Sequence, residues 1–346
     1  MSFKDITVLL EITKSCNLNC RHCYTYNLAF DTNLFPNDLS LDQIKLILKR
    51  IGAQGISNLV LSGGEPFLRK DIFEIIDYAG NYGFESIVIN TNGILLNDLK
   101  IINQIKKRLD VITAIVVSID GATNKTHDYI RGQGQFVNLL RILEKIEPHE
   151  ELPLGINVTL GKWNIHEFND FFTIYNRFNA FYMNFGLFIP IGHGLKIKEQ
   201  LLSPKECSNL IHMTEEKRKS GYNVDLCSVP YSNLINKDIS GYCCNIFTDF
   251  ITITAQGHVI PCIMYDFNCG SLLKSDFNIN EIFNHPLAQI YQDPSKLKEK
   301  MKGKCRDCSE FSICKGGCNL LTLSVKNDMF DSDPLCPLEF LFDNDF

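Results

Sequence analysis

The sequence predicts an α/β fold, in which a parallel sheet with helices on one face and a barrel interior on the other is followed by a small cysteine-rich domain. The first observation is an alternation from residue 6 to residue 190. Short β-branched apolar runs alternate there with longer segments in which apolar residues recur every three or four positions. The second observation is the uneven placement of 14 cysteines, of which none lies between residues 24 and 206 and nine lie from 243 to 336. Strand–helix units in series indicate a parallel sheet with right-handed crossovers, and clustered thiols indicate metal ligation.

The apolar runs give six predicted strands, which are 6–13, 58–64, 86–93, 114–121, 154–160 and 181–189. The segments of helical spacing between them are 39–51, 70–83, 97–109, 135–146 and 166–178. Ser40 and Asn97 are predicted N-caps, and Gly83 is a predicted helix stop. Because the strands are almost continuously apolar, we expect helices to cover one face of the sheet and a barrel interior to bury the other.

The pattern changes after residue 189. A loop leads to a helix near 203–219, residues 220–242 are rich in turn formers, and Gln256-Gly257 indicates a hairpin. We therefore predict three regions. They are the barrel (1–195), a linker with a bridging helix (196–240) and the cysteine-rich domain (241–346).

Composition excludes several classes of protein. The 346 residues are 45% hydrophobic and 21% charged, which is typical of a globular chain and not of a disordered one. The net charge of −6 leaves no basic excess for nucleic acid or an anionic membrane. Neither a signal peptide nor an apolar run of about 18 residues is present, so we expect a cytoplasmic protein.

The first cysteine group is Cys16-x3-Cys20-x2-Cys23, directly after the first predicted strand. Three thiolates at this spacing can converge on one metal cluster and leave one metal position open to a ligand, whereas closed sites use four protein ligands. Two simpler interpretations are three buried cysteines on a loop, and a zinc site completed by His22. The chemistry of a barrel of this kind lies at the C-terminal ends of its strands, where this loop begins.

This cysteine motif, followed by Tyr24 and then by Gly63-Gly64-Glu65-Pro66 after the second strand, resembles the radical S-adenosylmethionine (SAM) superfamily. The resemblance implies a (β/α)6 partial barrel and a [4Fe-4S] cluster on Cys16, Cys20 and Cys23. It also implies that SAM chelates the fourth iron, and that reductive cleavage of SAM gives a 5′-deoxyadenosyl radical that abstracts hydrogen from a substrate.

The resemblance also assigns residues to SAM. The Gly-Gly-Glu-Pro segment would contact its amino group, Ser118 and Asp120 its ribose, Arg131 its carboxylate and Tyr24 its adenine through the backbone. For Asp120 the alternative is a residue that simply ends a strand, and for Arg131 it is a surface arginine. The full set of expected SAM-binding residues is Tyr24, Gly63, Gly64, Glu65, Pro66, Asn92, Ser118, Asp120, Arg131 and Asn157.

The later cysteines resemble the SPASM extension of radical SAM enzymes, which carries two auxiliary [4Fe-4S] clusters. The motif is Cys244-x12-Gly257-x4-Cys262, then Cys305-x2-Cys308-x5-Cys314-x3-Cys318, and finally Cys336. By position, the resemblance gives auxiliary cluster I the residues Cys244, Cys262 and Cys318. It gives auxiliary cluster II the residues Cys305, Cys308, Cys314 and Cys336.

The fourth ligand of auxiliary cluster I stays open between Cys227, Cys243 and an unfilled iron position. Neighbouring side chains diverge in extended backbone, which slightly favours Cys227 over Cys243, the neighbour of Cys244. Cys207 and Cys269 are expected to be core thiols. A zinc knuckle over residues 305–318 is the alternative interpretation of this region.

SPASM relatives commonly modify ribosomally made peptides by crosslinking, epimerisation or oxidation, and this is the substrate class we expect. The alternative is oxidation, epimerisation or decarboxylation of a small molecule such as a sugar or a haem precursor. A non-catalytic metal-binding protein is a more remote alternative. Ile263, where sulfatase-activating relatives carry Asp, disfavours that activity. The resemblance implies an electron donor such as flavodoxin or ferredoxin. With only 15 residues before Cys16, a peptide substrate would require a separate leader-binding protein.

Overall fold

The computed structural model describes residues 3–24, 37–146, 152–227, 231–235, 249–265, 267–274 and 280–341. The strands are β1 (Thr7–Thr13), β2 (Asn58–Gly63), β3 (Ser86–Thr91), β4 (Ile112–Ser118), β5 (Leu154–Leu160), β6 (Tyr182–Leu187), β7 (Val224–Cys227), β8 (Phe250–Ile253), β9 (His258–Ile260) and β10 (Gly270–Ser271). The α-helices are α1 (Leu41–Gly52), α2 (Ile72–Asn81), α3 (Leu99–Lys106), α4 (Asn124–Arg131), α5 (Gln135–Ile146), α6 (Asp170–Arg177), α7 (Pro204–Lys219), α8 (Ser232–Ile235), α9 (Asn280–Phe283), α10 (Pro286–Gln292), α11 (Pro294–Lys300), α12 (Phe311–Cys314) and α13 (Asn319–Lys326). Short 3₁₀ segments are Phe3–Asp5, Pro66–Leu68, Ile94–Asn97, Ile165–Glu167, Gly192–Gln200 and Gly303–Cys305.

Within the described part of the chain, the strands form one ten-stranded sheet in the order β10-β9-β8-β1-β2-β3-β4-β5-β6-β7. Pairing is parallel from β8 through to β7, and β8, β9 and β10 pair antiparallel. The predicted α/β class, with its parallel sheet and C-terminal hairpin, is confirmed. The hairpin joins the sheet beside β1, so the sheet continues from the barrel into the cysteine-rich region.

The two faces of the sheet differ in polarity. On β5, Ile156 and Val158 are buried, whereas Asn157 and Thr159 between and after them are partly exposed. The buried set belongs to the same apolar core as the inner faces of the helices. Each such aliphatic side chain contributes about 1.5–3 kcal/mol on burial. The other face of the sheet, opposite the helices, is therefore the one on which polar chemistry is placed.

Of the three helix ends predicted from the sequence, two are confirmed. Ser40 caps α1 in a capping box with Gln43. Gly83 lies just beyond α2 with a φ of 91°, the left-handed conformation expected of a helix stop. The N-cap prediction for Asn97 is wrong, because Asp98 caps α3 by accepting a hydrogen bond from the Lys100 amide at 2.8 Å.

The sequence pattern missed several elements, of which two are the most informative. The first is α4, whose sequence NKTHDYIR offers few apolar residues; Thr123 starts it by accepting a hydrogen bond from the Thr126 amide. The second is β7, a four-residue edge strand inside the segment predicted to be turn-rich. The prediction for 220–242 is thus wrong at 224–227 and at helix α8, while 228–230 and 236–242 lie outside the described residues.

The hairpin prediction at Gln256-Gly257 is confirmed. The Gly257 amide donates to the Thr254 carbonyl at 2.8 Å, and its φ is 79°. In the described part of the chain, no helix is both long and apolar enough to cross a bilayer. The division of the chain into a barrel (1–195), a linker with a bridging helix (196–240) and a cysteine-rich domain (241–346) stays a prediction.

Candidate active site

The three N-terminal cysteines lie together on the loop after β1, residues 14–24, which we call the cluster loop. Cys16 and Cys20 are buried, Cys23 is partly exposed, and the three pack with Leu18. Burial is the main cause that raises the pKa of Cys16 to about 11 and that of Cys20 to about 12; the neighbouring thiolates contribute to this rise and Arg131 opposes it. These thiols therefore keep their protons until a metal displaces them.

The Gly-Gly-Glu-Pro segment is bonded directly to the cluster loop. The Gly64 amide donates to the Thr13 carbonyl and the Glu65 amide to the Ser15 carbonyl, both at 2.8 Å. A Cβ at Gly64 would lie 2.0 Å from the Ser15 oxygen, so the approach admits no side chain. The two motifs, 40 positions apart from Cys23 to Gly63, are thus joined directly through their backbones.

The Glu65 carboxylate is fully buried, and its oxygens accept hydrogen bonds from other residues of the protein. It accepts hydrogen bonds from the Thr91 hydroxyl and the Asn92 amide at 2.8 Å, and from the Phe67 amide at 3.2 Å. Burial raises the pKa of Glu65, and these donors oppose that shift. The carboxylate joins the ends of β2 and β3, so what this segment offers a ligand is its backbone.

Asn92 lies against the cluster loop from the side of β3. Its Nδ2 donates to Asn17 Oδ1 at 2.7 Å and lies 3.9 Å from Cys16 Sγ, while its Oδ1 accepts from the Ile94 amide. Hydrogen bonds to a ligating sulfur tune the potential of an iron–sulfur cluster. Asn92 is placed for that contact, and its contact with SAM stays a prediction.

Asp120 is the centre of a buried charge network. Its Oδ2 accepts from His22 Nε2 at 2.6 Å and from Arg131 Nε at 2.5 Å, and its Oδ1 accepts from the Thr159 amide at 2.8 Å. Burial opposes ionisation, but Arg131 and His22 outweigh it and hold the pKa of Asp120 well below its usual range. Both oxygens therefore bind protein donors, although a ribose contact was predicted from the sequence.

Sequence reasoning gave His22 no role. Its ring contacts Trp163 edge-on at 6.3 Å between centroids and reaches Asp120 across 98 positions of sequence. One feature of the sequence indicates the direction of this side chain, namely the position of His22 between Cys20 and Cys23 of the same motif. A histidine there must point away from the shared centre, and here it points to the barrel rim.

Arg131 ends α4 with its guanidinium beside the cluster loop. It is 9% exposed, and Asp120, Cys20 and Cys16 raise its pKa against the effect of burial. Its Nε is bound to Asp120, and the described residues supply no hydrogen bond to its two Nη groups. The two Nη groups of a guanidinium form a planar fork that can bind a carboxylate through two hydrogen bonds. Arg131 is thus buried beside the site, not a surface arginine.

The remaining predicted SAM contacts lie on the strands and on the loop. Ser118 pairs in register with Asn157, and Asn157 Oδ1 accepts from Asn184 Nδ2 at 2.7 Å. The Tyr24 hydroxyl donates to Glu11 at 3.1 Å. The Tyr24 carbonyl lies so close to Gly192 that a Cβ there would approach it to 2.4 Å, which fixes the backbone of the cluster loop.

Helix α4 also carries a buried histidine, His127, that gives a pH-dependence prediction. It packs on Phe136 at 5.5 Å, and its Nδ1 has no hydrogen-bond partner among the described residues. Burial, then Arg131, lower its pKa to about 4 from 6.5. The unfolded chain therefore binds an extra proton between these values. The free energy of unfolding should fall by about 3 kcal/mol as pH drops from 6.5 to 4 because of this residue.

Urea unfolding of a His127→Leu variant at several pH values measures that contribution. The free energy of unfolding of wild type minus that of the variant should fall by about 3 kcal/mol as pH drops through the window. A His166→Leu variant, which changes an exposed histidine, is the control and should differ from wild type by a constant amount. A constant difference for His127→Leu as well would contradict the prediction.

The C-terminal cysteines form a second buried group. Cys305 and Cys314 are buried, Cys308 and Cys336 are half-buried, and all four join the apolar core. Burial is the main cause that raises the pKa of Cys336, and the thiolates of Cys305 and Cys308 add to it. At least these three thiols therefore lie near one another, as expected for auxiliary cluster II.

Cys318, assigned to auxiliary cluster I, is held through its backbone. Its amide donates to Asp333 Oδ2 at 2.6 Å, and Asp333 is buried with a raised pKa because of desolvation. Cys262 is half-buried and follows β9. Cys227 lies on β7 beside Gly186, at the opposite end of the sheet order from β9. Cys243 and Cys244 lie outside the described residues, so the fourth ligand stays a prediction.

In the described ranges, no three His, Cys, Asp or Glu side chains converge closely enough to hold a single metal ion. Cys207 is a fully buried thiol on α7, as predicted, whereas Cys269 is half-buried in the loop before β10.

Comparison with known protein families decides between these interpretations. The family model described as the radical SAM superfamily matches residues 10–173, and the SPASM model, an iron–sulfur cluster-binding domain, matches residues 243–309. The chain belongs to the radical SAM superfamily. It is a radical SAM enzyme with a C-terminal SPASM domain, which implies SAM and a [4Fe-4S] cluster together with auxiliary iron–sulfur clusters.

Three relatives illustrate the range of this family. An AdoMet-dependent heme synthase of Methanosarcina barkeri is 28% identical, over 94% of this chain and 94% of its own length. A PqqA peptide cyclase of Bradyrhizobium diazoefficiens is 25% identical, over 99% of this chain and 88% of its own. The structure of Streptococcus suis SuiB bound to precursor peptide SuiA superposes with a TM-score of 0.74, at 16% identity, over 97% of this chain and 76% of that one. This structural likeness shows the shared fold.

The residues of this radical SAM enzyme fit the cofactors of its family. The cluster loop gathers three thiols, and the described residues add no fourth sulfur to them, which suits a cluster with one iron left for SAM. The cation of Arg131 lies close enough to Cys16 and Cys20 to lower their pKa. A carboxylate-bearing ligand at the open iron would therefore find a cationic fork beside it.

Proposed function

We propose that this enzyme modifies a ribosomally synthesised peptide by crosslinking, epimerisation or oxidation. When bound, the reduced cluster supplies one electron that cleaves SAM to methionine and a 5′-deoxyadenosyl radical, which abstracts hydrogen from the peptide. Cys16, Cys20 and Cys23 would hold that cluster. The auxiliary clusters on the SPASM cysteines would receive the electron that the substrate loses.

The chain's own residues would hold SAM as follows. The Nη groups of Arg131 bind the carboxylate, while Asp120 fixes the guanidinium through Nε and is itself held by His22. Backbone groups of the Gly63–Pro66 segment bind the amino group. Ser118 faces the ribose from the end of β4. Asp120 then acts by positioning Arg131, since its own oxygens are already bonded.

The observation that carries the peptide proposal is a row of polar side chains on the face opposite the helices. Ser118, Asn157, Asn184 and Asp225 are neighbours in register on β4, β5, β6 and β7. Each is at least partly exposed. The row runs from the predicted ribose contact to β7, the last strand of the sheet among the described residues, which is the path an extended substrate would follow.

The central pair of this row complements an amide group. Asn184 Nδ2 donates to Asn157 Oδ1, which leaves the Asn157 Nδ2 hydrogens and the Asn184 Oδ1 without a partner among the described residues. One free donor beside one free acceptor matches the C=O and N–H of a peptide unit. Burying these groups against an apolar substrate would instead leave them unsatisfied, at a cost of about 1–3 kcal/mol each.

The alternative substrate is a small molecule, a sugar or a tetrapyrrole precursor of haem. The 28% identity to an AdoMet-dependent heme synthase favours the tetrapyrrole. Against it, no residue of β1 to β7 is lysine or arginine, and the Arg218 guanidinium at the end of the row is already paired with Asp225 and Glu215, so the row offers no unpaired cation to the carboxylates that such precursors carry. We therefore place the peptide first.

Metal analysis and isotope transfer test this proposal. Anaerobically reconstituted protein should hold about twelve irons per chain with matching sulfide. Short peptides encoded beside the gene, deuterated at Cα and along their side chains, should pass deuterium to 5′-deoxyadenosine. Stoichiometric zinc without sulfide would refute the enzyme assignment. Deuterium arriving from a tetrapyrrole and from none of the peptides would establish the alternative.

A further inference from the structure

The outer surface around the cluster loop carries an excess of positive charge. Five exposed basic residues, which we call the basic face, have no carboxylate partner among the described residues. They are Arg21, Lys125, Lys162, Lys196 and Lys198. Glu199 is exposed beside them, and Asp128 lines the same surface pocket as Arg21 and Lys125, so these two carboxylates offset two of the five positive charges and three remain. This excess lies on a chain whose net charge is −6.

Packing brings these residues to one surface. The Arg21 guanidinium lies 4.5 Å from the centre of the Tyr129 ring, and Arg21 and Lys125 line the same surface pocket. Ile197 is buried in a small apolar cluster with Ile130 and Trp163. Its neighbours in sequence, at 196 and 198, are exposed around that cluster. The residue at 162 precedes Trp163 and is bonded through its amide to the Gln200 carbonyl at 2.8 Å.

The same apolar cluster supports the cluster loop from outside. The Arg21 amide donates to the Ile130 carbonyl at 2.9 Å, and the His22 ring packs on Trp163. The His193 amide donates to the Cys23 carbonyl at 2.9 Å. Arg21 itself lies between Cys20 and Cys23 in the sequence. The basic face is therefore the protein surface that directly covers the predicted cluster ligands.

We propose that the basic face is the docking surface for an acidic one-electron carrier protein of the flavodoxin type. This inference rests on the proposed function, because a cluster that cleaves SAM reductively must receive its electron from a donor outside the chain. In the step, the reduced flavin of the carrier loses one electron and the cluster gains it, and no bond forms or breaks in either protein. Opposite charges speed such an encounter and fix its orientation.

The test uses reconstituted holoenzyme and a purified acidic flavodoxin. The variant combines Lys162→Gln, Lys196→Gln and Lys198→Gln, which removes three charges without touching the cluster loop. The matched control combines Lys49→Gln, Lys70→Gln and Lys300→Gln, three exposed lysines on α1, before α2 and at the end of α11. Two quantities are measured at low and high salt. They are the Kd of oxidised flavodoxin and the rate of cluster reduction by the reduced form.

We expect the basic-face variant to raise the Kd and slow reduction by about tenfold at low salt. The loss should disappear near 1 M salt, where the screening length is about 3 Å. Replacement of the same three lysines by arginine should restore wild-type values, and a neutral photochemical reductant should reduce every variant alike. Equal behaviour of the two glutamine triples with flavodoxin would overturn the docking site. A wild-type protein that assembles no reducible cluster, even with the photoreductant, would overturn the proposed function and this inference together.

Discussion

Replacing Cys16, Cys20 and Cys23 together by alanine is expected to abolish formation of 5′-deoxyadenosine from SAM. These thiols are the ligands that the cluster loop brings together, and the described residues near them offer no substitute sulfur. Iron content after anaerobic reconstitution should fall by about four per chain, and the auxiliary clusters should remain. Product is measured by liquid chromatography with dithionite as the reductant, so that no carrier protein is required.

The control for this triple variant is Cys207→Ala. Cys207 is fully buried on α7 and is assigned to no cluster. Its loss should cost some stability through the small cavity it leaves, with iron content and product formation retained. Continued formation of 5′-deoxyadenosine by the triple variant would refute the assignment of the cluster. An equal loss of iron in Cys207→Ala would show that the assay reports folding instead of ligation.

The regular part of the fold could be predicted because its signals are local. Period-two burial on β5 and helical spacing on α5 appear directly in the sequence, and both elements occupy the predicted residues. The cysteine motifs could be read because ligand spacing on a loop is also local. By contrast, α4 has a largely polar sequence and β7 spans four residues, so each is stabilised by tertiary contacts that no short window contains.

The hydrogen-bond partners of Asp120 were harder to predict, because they also depend on tertiary contacts. Asp120 ends a strand, and its sequence neighbours suggest a free carboxylate that faces a ligand. Its partners come instead from three other elements, His22 on the cluster loop, Arg131 on α4 and Thr159 on β5. Since α4 was not predicted, the helix that carries Arg131 to the cluster loop could not be foreseen. The network follows from the fold and not from any motif.

Asp120→Ala is therefore expected to be severely destabilising, and the reason lies in Arg131. The two side chains are 0% and 9% exposed, so removal of the carboxylate leaves a buried guanidinium without its counter-ion. Breaking a buried pair in this way costs about 3–5 kcal/mol. Asp120→Asn keeps an acceptor for the Thr159 amide and should lose less stability. In both variants Arg131 is no longer fixed at Nε, so the Kd for SAM should rise.

A second substitution separates stability from SAM binding. In the double variant Asp120→Ala with Arg131→Met, no buried charge is left unpaired, and much of the lost free energy of unfolding should return. Affinity for SAM should stay low, because the fork that binds its carboxylate is gone. Urea unfolding of the apo-protein and calorimetric titration of the reconstituted protein with SAM measure the two effects. If the double variant is no more stable than Asp120→Ala, the cost does not come from the unpaired guanidinium. If Arg131→Met alone binds SAM as wild type does, Asp120 cannot act on SAM through Arg131, and the positioning role proposed for it fails.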